Sequence, residues 1–244
     1  MILRHLADAI RGQNWFTVLI ELAVVVVGIF LGLQVDDWNE RRKEASLESG
    51  YVERLEAEID ANIAVYQAAI EQSATADKLY RDYFDYLTDP AAPLPDKSEL
   101  LGGLCRVGLN PGAPFDNSVH DELETTGRSE LIGYVQLTHS LISYRTVQER
   151  WAEGTAQVVP VTRKTFSEIE KFISWQPVLE GGTYSNCLFD FEKFKTNDKA
   201  ASLIAQAQRI EHYYLLSYKD ILSKLMEVRT TLSLGYPQIV AAGQ

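Results

Sequence analysis

The sequence predicts an all-α protein in which one N-terminal transmembrane helix continues into a long helix of an elongated helical bundle. Three observations lead to this prediction. The run from Trp15 to Val35 is almost entirely apolar, and Glu21 is its single ionisable residue. Apolar residues then recur at steps of three and four along most of the chain, which is typical of amphipathic helices. No stretch of useful length alternates between apolar and polar residues, as a half-buried strand would.

Length and charge limit the class of protein. The 244 residues allow one domain plus an anchor, and a hydrophobic fraction of 46% is enough for a packed core. The formal net charge is -11, and no basic stripe interrupts the acidic pattern. Because an acidic chain repels phosphate backbones, we expect no nucleic-acid partner.

Residues 1–14 predict a short amphipathic helix on the membrane surface, with a frayed terminus as the alternative. The apolar residues that lie near one face are Ile2, Leu3, Leu6 and Ile10. Basic residues flank the following apolar run on both sides in nearly equal number, and their count leans slightly against an outward-facing domain, so the positive-inside rule alone does not decide the orientation.

The membrane anchor is assigned to residues 15–35, because a helix of about 20 residues crosses a bilayer. About fourteen of these residues are Leu, Ile, Val or Phe, and they favour insertion by roughly 4 to 8 kcal/mol. Glu21 opposes insertion by at most about 3 kcal/mol. Trp15 and Trp38 are predicted interfacial anchors. The exit "LQVDDWNE" offers no small-residue cleavage site, so we predict an uncleaved signal anchor and a single-pass protein.

Residues 36–244 are expected to form one soluble helical-bundle domain. From Asp36 to about Leu87 no proline occurs, which predicts a continuous helix with a possible kink near Gly50. The apolar face of this helix consists of Leu55, Ile59, Ile63, Tyr66, Ile70, Leu79, Tyr83 and Leu87.

The middle of the chain predicts short elements. The prolines of "TDPAAPLPDK" end the long helix, and a short helix is expected near Ser98–Val107. The stretch "FDNSVHDELETTGRSELIG" predicts a second short helix, closed by Gly127, and then a short turn.

Two longer helices are expected after this. The first runs from Leu137 to about Ile173, with an interruption near residues 154–160, and "SWQPVLEGGTYSNC" is expected to be loop. Asn197 or Asp198 should cap the last helix, which continues to about Leu234 in a pattern close to a coiled-coil heptad. Its apolar stripe is Leu203, Ala207, Ile210, Tyr214, Ile221, Leu225, Val228 and Leu232. The first and last long helices should form the spine of the bundle.

Two segments resemble a family of uncharacterised bacterial single-pass membrane proteins, a domain of unknown function. The anchor "QNWFTVLIELAVVVVGIFLGLQVDDWNERR" is similar in its early acidic residue, its Val-Ile-Gly core and its Q-V/I-x-x-W-N-E exit. The segment "FDNSVHDELETTGRSELI" is similar to a second signature of the family, D/E-E-L-x-x-T/S-G-x-x-x-L-I. The resemblance implies a cytoplasmic N-terminus and an outward helical domain, and it implies no activity.

Glu21, Gly28 and Gly32 lie at steps of seven and four, so they share one helix face. The Gly-x-x-x-Gly spacing permits close approach of a second span, which predicts a membrane helix association face. Two alternatives remain. In the first, the Glu21 side chain reaches the membrane interface and the glycines have no role in association. In the second, Glu21 carries a proton in the membrane.

The other titratable residues give no strong signal for catalysis or metal binding. The histidines His5, His120, His139 and His212 have no metal-ligand spacing. His120 and the acidic clusters "ERLEAEID" and "DELE" are expected on solvated helix faces, while Tyr213, Tyr214 and Tyr218 are expected in the core. We predict no catalytic residue, no metal site and no cofactor.

Cys105 follows the proline-rich break after the first long helix, and Cys187 precedes the last one. If these two helices pack antiparallel, both cysteines lie at the same end of the bundle. We therefore predict a Cys105–Cys187 disulfide rather than a thiol that acts with a histidine as a nucleophile.

The sequence therefore predicts a membrane-anchored helical interaction protein, a scaffold or sensor-like accessory without catalytic activity. The expected location is the bacterial inner membrane, with a cytoplasmic N-terminus and a periplasmic domain. The expected partners are the lipid bilayer and a second copy or another membrane protein bound through the span, and a small-molecule ligand stays open. The alternative function is a subunit of an ion-coupled transport or motor complex that uses Glu21.

Overall fold

The computed structural model describes residues 15–105, 113, 115–176 and 187–242, with side chains only from Leu19 to Ile239. The predicted amphipathic segment 1–14 lies outside the described residues. Contacts within the chain divide it into two units, Met1–Gly50 and Tyr51–Gln244, and each is treated separately below.

The described residues form seven α-helices and one small hairpin, which confirms the all-α prediction. The helices are α1 (Trp15–Thr88), α2 (Lys97–Leu104), α3 (Ser118–Thr125), α4 (Val135–Ile169), α5 (Phe191–Lys195), α6 (Ala200–Gly235) and α7 (Pro237–Ala242). Two 3₁₀ turns, Arg128–Leu131 and Glu170–Phe172, follow α3 and α4. The hairpin pairs β1 (Ile173–Trp175) with β2 (Cys187–Phe189) in antiparallel register, so that Trp175 lies opposite Cys187.

Helix α1 ends one residue beyond the predicted position. The Thr88 hydroxyl donates to the Phe84 carbonyl at 2.9 Å, and Pro90 follows two residues later. Helix α3 also ends as predicted, because Gly127 adopts a left-handed conformation with φ 68° that favours glycine.

Three local predictions were wrong. Helix α4 is continuous through residues 154–160, because Pro160 and Ala156 lie on its exposed side, where water can bind the carbonyl that proline leaves free. Ser174, Trp175 and Cys187 are strand rather than loop. The N-cap of α6 is Lys199, and the Asn197 side chain instead accepts a hydrogen bond from the Lys199 N–H at 2.9 Å.

In the unit that begins at Tyr51, α6 runs antiparallel to both α1 and α4. Arg229 pairs with Asp60, and Gln208 pairs with Asp77. Residue numbers along α6 therefore decrease as those along α1 increase. The contacts between α4 and α6 show the same antiparallel order, because Arg150 pairs with Asp220 and Thr165 pairs with Gln206. Helices α1 and α4 are therefore parallel, and the chain between them must return to the end at which α1 enters this unit.

That return is made by residues 115–131, which we call the return segment. Phe115 stacks on Tyr66, well inside the part of α1 that belongs to this unit, and Arg128 contacts Tyr51 at the start of the unit. The apolar side chains of α1, α4, α6 and the return segment form one buried cluster, and a second cluster lies at the opposite end, where α1 ends and α6 begins. The predicted apolar stripe of α6 is buried along its whole length.

Candidate functional site

The apolar side chains of α1 from Leu19 to Val35 are exposed, at 47–65% of their full accessibility. An 18-residue stretch of this helix has a mean hydropathy of 2.1, and none of that stretch is buried by the part of the chain that the structure describes. Among the described residues, this is the one helix that is long and apolar enough to cross a membrane. An N-terminal signal sequence would meet the same criterion, whereas a core helix of a soluble domain would be mostly buried.

Glu21, Gly28 and Gly32 lie on this exposed helix. A Cβ added at either glycine would meet no atom within 4 Å in the described part of the chain. Gly32 contributes to a shallow groove lined by Ile29, Gly32, Leu33, Val35, Asp36, Trp38 and Asn39. Nothing within the described chain covers this face, so association through it stays a prediction.

Of the two predicted interfacial anchors, only Trp38 has a described side chain. It is exposed, and the Arg42 guanidinium lies 5.8 Å from the centre of its ring. The side chain of Trp15 lies outside the described part of the structure.

Cys105 and Cys187 form a disulfide, with Cα atoms 6.1 Å apart. Both cysteines are buried next to the second apolar cluster, at the end of the unit where α1 ends and α6 begins. The bond therefore joins the chain after α2 to strand β2, in the position that the sequence predicted.

The most extensive polar arrangement holds the return segment against α1. A Glu58 oxygen accepts a hydrogen bond from the Val119 N–H at 2.6 Å and lies 3.4 Å from the Ser118 hydroxyl, so it caps the first turn of α3 from outside that helix. Burial raises the pKa of Glu58, although these hydrogen bonds act in the opposite direction. Glu56 and Glu58 are both buried, so the prediction that the "ERLEAEID" cluster lies on a solvated helix face was wrong for these two residues.

Asn62 continues this attachment one turn further along α1. Its side-chain nitrogen donates to the Asp116 carbonyl at 2.6 Å, and its oxygen accepts from the Asp116 N–H at 2.9 Å. The next residue, Asn117, donates to Gln148 on α4 at 2.9 Å and accepts from the Tyr144 hydroxyl at 3.2 Å. The return segment is therefore hydrogen-bonded to both parallel helices.

The far end of the return segment has an ionic attachment. Glu122 accepts from the Tyr51 hydroxyl at 2.7 Å and from Arg54 at 2.6 Å, while Arg128 donates to the same hydroxyl at 2.6 Å. These contacts hold the pKa of the Glu122 carboxyl below its ordinary value.

His120 is buried in α3, at 4% exposure, so the expected solvated position was wrong. Its Nε2 lies 3.4 Å from a Glu124 oxygen, and its Nδ1 has no hydrogen-bond partner in the described part of the structure. Burial lowers the pKa of His120 below its ordinary value. The apolar residues beside it, Val119 and Leu123, were the sequence signal that could have placed this face inward.

The remaining histidines are spread over the molecule. His212 Nδ1 lies 3.3 Å from the buried carboxylate of Asp77, His139 is exposed on α4, and His5 lies outside the described residues. Within the described ranges, no three His, Cys, Asp or Glu side chains are arranged to hold a metal ion. Tyr214 and Tyr218 are buried and Tyr213 is half-buried, which confirms their expected place in the core.

Comparison with protein-family models, with curated proteins and with solved structures finds no match to the chain.

Proposed function

We propose that the chain is a single-pass membrane-anchored interaction protein, a scaffold or sensor-like accessory without catalytic activity of its own. The observation that carries this proposal is the exposed apolar surface of α1. In water such a surface would be strongly unfavourable, and a bilayer is the environment that would cover all of it.

The proposed location is the bacterial inner membrane, with the N-terminus in the cytoplasm and the domain in the periplasm. The Cys105–Cys187 disulfide supports an oxidising compartment for the domain. The resemblance of the anchor and of the return segment to bacterial single-pass proteins supports the same orientation.

Reporter fusions at the C-terminus test this topology. We expect activity from a reporter that works only after export and silence from one that works only in the cytoplasm. The membrane fraction should retain the protein after carbonate extraction, because the span would be inserted rather than adsorbed. An active cytoplasmic reporter would overturn the proposed orientation, and release by carbonate would overturn the anchor.

Self-association or partner binding through Glu21, Gly28 and Gly32 is part of this proposal. Replacing both glycines with leucine should strongly reduce crosslinking between spans in membranes, because the added side chains prevent close backbone approach. The matched control is Val26→Leu with Phe30→Leu, which changes the opposite face while keeping it apolar. Equal crosslinking by both variants would remove this face from the proposal.

A second candidate function is a subunit of an ion-coupled transport or motor complex. The observation in its favour is that Glu21 is the single ionisable residue in the exposed apolar run from Leu19 to Val35. Hydrophobic carbodiimides modify protonated carboxyls in membranes. This role therefore predicts that they label the native chain near neutral pH and do not label the Glu21→Gln variant. A native chain that stays unlabelled between about pH 6 and 8 would contradict this role.

A further inference from the structure

We propose that the return segment is a pH-sensitive switch, released from α1 and α4 when the His120 imidazole takes up a proton. The switch would regulate the proposed interaction role and therefore rests on that function. Its test uses the purified chain and does not depend on any partner or location.

The first step of the argument is the position of the imidazole. His120 lies in the first turn of α3, on the side that faces the bundle, and its side chain is almost fully enclosed. Its unpartnered Nδ1 would become a buried N–H donor without an acceptor on protonation. A buried donor without an acceptor and a buried charge both disfavour the docked conformation.

The charged groups around His120 do not remove this penalty. Glu124 and Asp121 on its own helix attract an imidazolium, but both carboxylates are about half exposed and therefore screened. Arg145 on α4 repels it, and Glu58 on α1 is already engaged with the backbone of α3. Burial is the largest influence on the pKa of His120, and it lowers that pKa.

The second step is the attachment of the segment. The return segment is held by hydrogen bonds from Glu58, Asn62 and Gln148, by the ionic contacts at its far end, and by its own buried apolar side chains. When it leaves as a unit, α4 and α6 keep their contacts with each other. Released, it would uncover side chains of α1 and α4 that it now contacts, including Tyr66, which stacks on Phe115, and Tyr144, which donates to Asn117. Such a surface would suit a partner helix.

The direction of the effect follows from linkage. An exposed histidine in the released segment titrates near 6.5, whereas the docked His120 has a lower pKa. The docked state is therefore favoured above about pH 6.5 and loses stability as the pH falls below that value. Glu58, whose docked pKa is raised, has the opposite effect, and this effect extends upward from about pH 4.3, the value near which an exposed Glu titrates.

Amide hydrogen exchange of the full chain in detergent micelles at pH 7.5, 6.5 and 5.5 tests the switch, after correction for the intrinsic rate. We expect protection in Ser118–Thr125 to fall by up to about tenfold per pH unit below pH 6.5, while α6 keeps its protection. His120→Gln should remove the pH response, and His139→Gln, at an exposed position on α4, should retain it.

Three results would overturn the switch. The first is equal protection of α3 at all three pH values in the native chain, and the second is an unchanged pH response in His120→Gln. The third comes from NMR titration of the native chain and needs no variant to fold: a His120 signal that titrates at or above about 6.5 would exclude a buried neutral imidazole. A signal that titrates below that value supports the switch.

Discussion

At the scale of single residues, polar side chains of α1 decide where the return segment lies. Glu58 and Asn62 are four positions apart, so they share one face and meet successive parts of the segment. Sequence alone could not separate Glu58 from its exposed neighbour Glu53, because both belong to one acidic cluster. The partner of Glu58 lies 61 residues away, and local periodicity carries no information about such a contact.

Replacing Glu58 with alanine should destabilise the domain by about 1–2 kcal/mol, because the first N–H groups of α3 would lose their buried acceptor. For a domain of this size we expect the thermal midpoint, followed by circular dichroism, to fall by about 2–8 °C. Glu53→Ala, at an exposed position of the same helix, is the control and should leave Tm nearly unchanged. An equal shift in both variants would refute the capping role.

At the scale of elements, α4 shows how packing overrides local propensity. Gly154 and Pro160 predicted an interruption, but α4 packs along α6 and stays helical. Gly154 has a packing reason, since an added Cβ would overlap the Tyr213 hydroxyl. Trp151 on α4 also packs edge-on against the Tyr213 ring, with centroids 5.1 Å apart, so the two helices are close at this point.

Gly154→Ala should therefore destabilise the domain by about 1–3 kcal/mol through overpacking, measured by urea unfolding. Removing the overlapping hydroxyl with Tyr213→Phe should make the same glycine replacement nearly neutral or stabilising, because alanine favours helix by about 1 kcal/mol. Gly102→Ala in α2, where an added Cβ meets no atom within 4 Å, is the control and should not destabilise. If Gly154→Ala lowers the free energy of unfolding equally in the Tyr213→Phe background, the overlap with the Tyr213 hydroxyl is not the cause of the destabilisation.

At the scale of the whole molecule, the sequence predicted the helix class, the long first and last helices and the paired cysteines. These features follow from periodicity, from prolines and from the positions of Cys105 and Cys187 along the chain. The hairpin was missed because three-residue strands are too short to show alternation. The return segment was missed because its route depends on contacts between distant parts of the chain.

The disulfide should contribute to the stability of the domain by closing a loop across 82 residues. The chain-entropy contribution of such a loop is about 4.5 kcal/mol. We expect the double variant Cys105→Ser with Cys187→Ser to lose at most this much of its free energy of unfolding. Thiol alkylation of protein from intact cells should label neither cysteine until a reductant is added. Full labelling without reductant would show that the bond does not form in the cell.

The pairing of α1 with α6 also limits how early the domain can fold during synthesis. Asp60 is made well before its partner Arg229, which lies 169 residues further along the chain. Until α6 is complete, the apolar face of α1 has no long antiparallel helix to cover it. If the proposed anchor is already in the membrane at that stage, neighbouring nascent copies would be held close together. A folding helper that shields apolar helices is therefore most needed between synthesis of α1 and synthesis of α6.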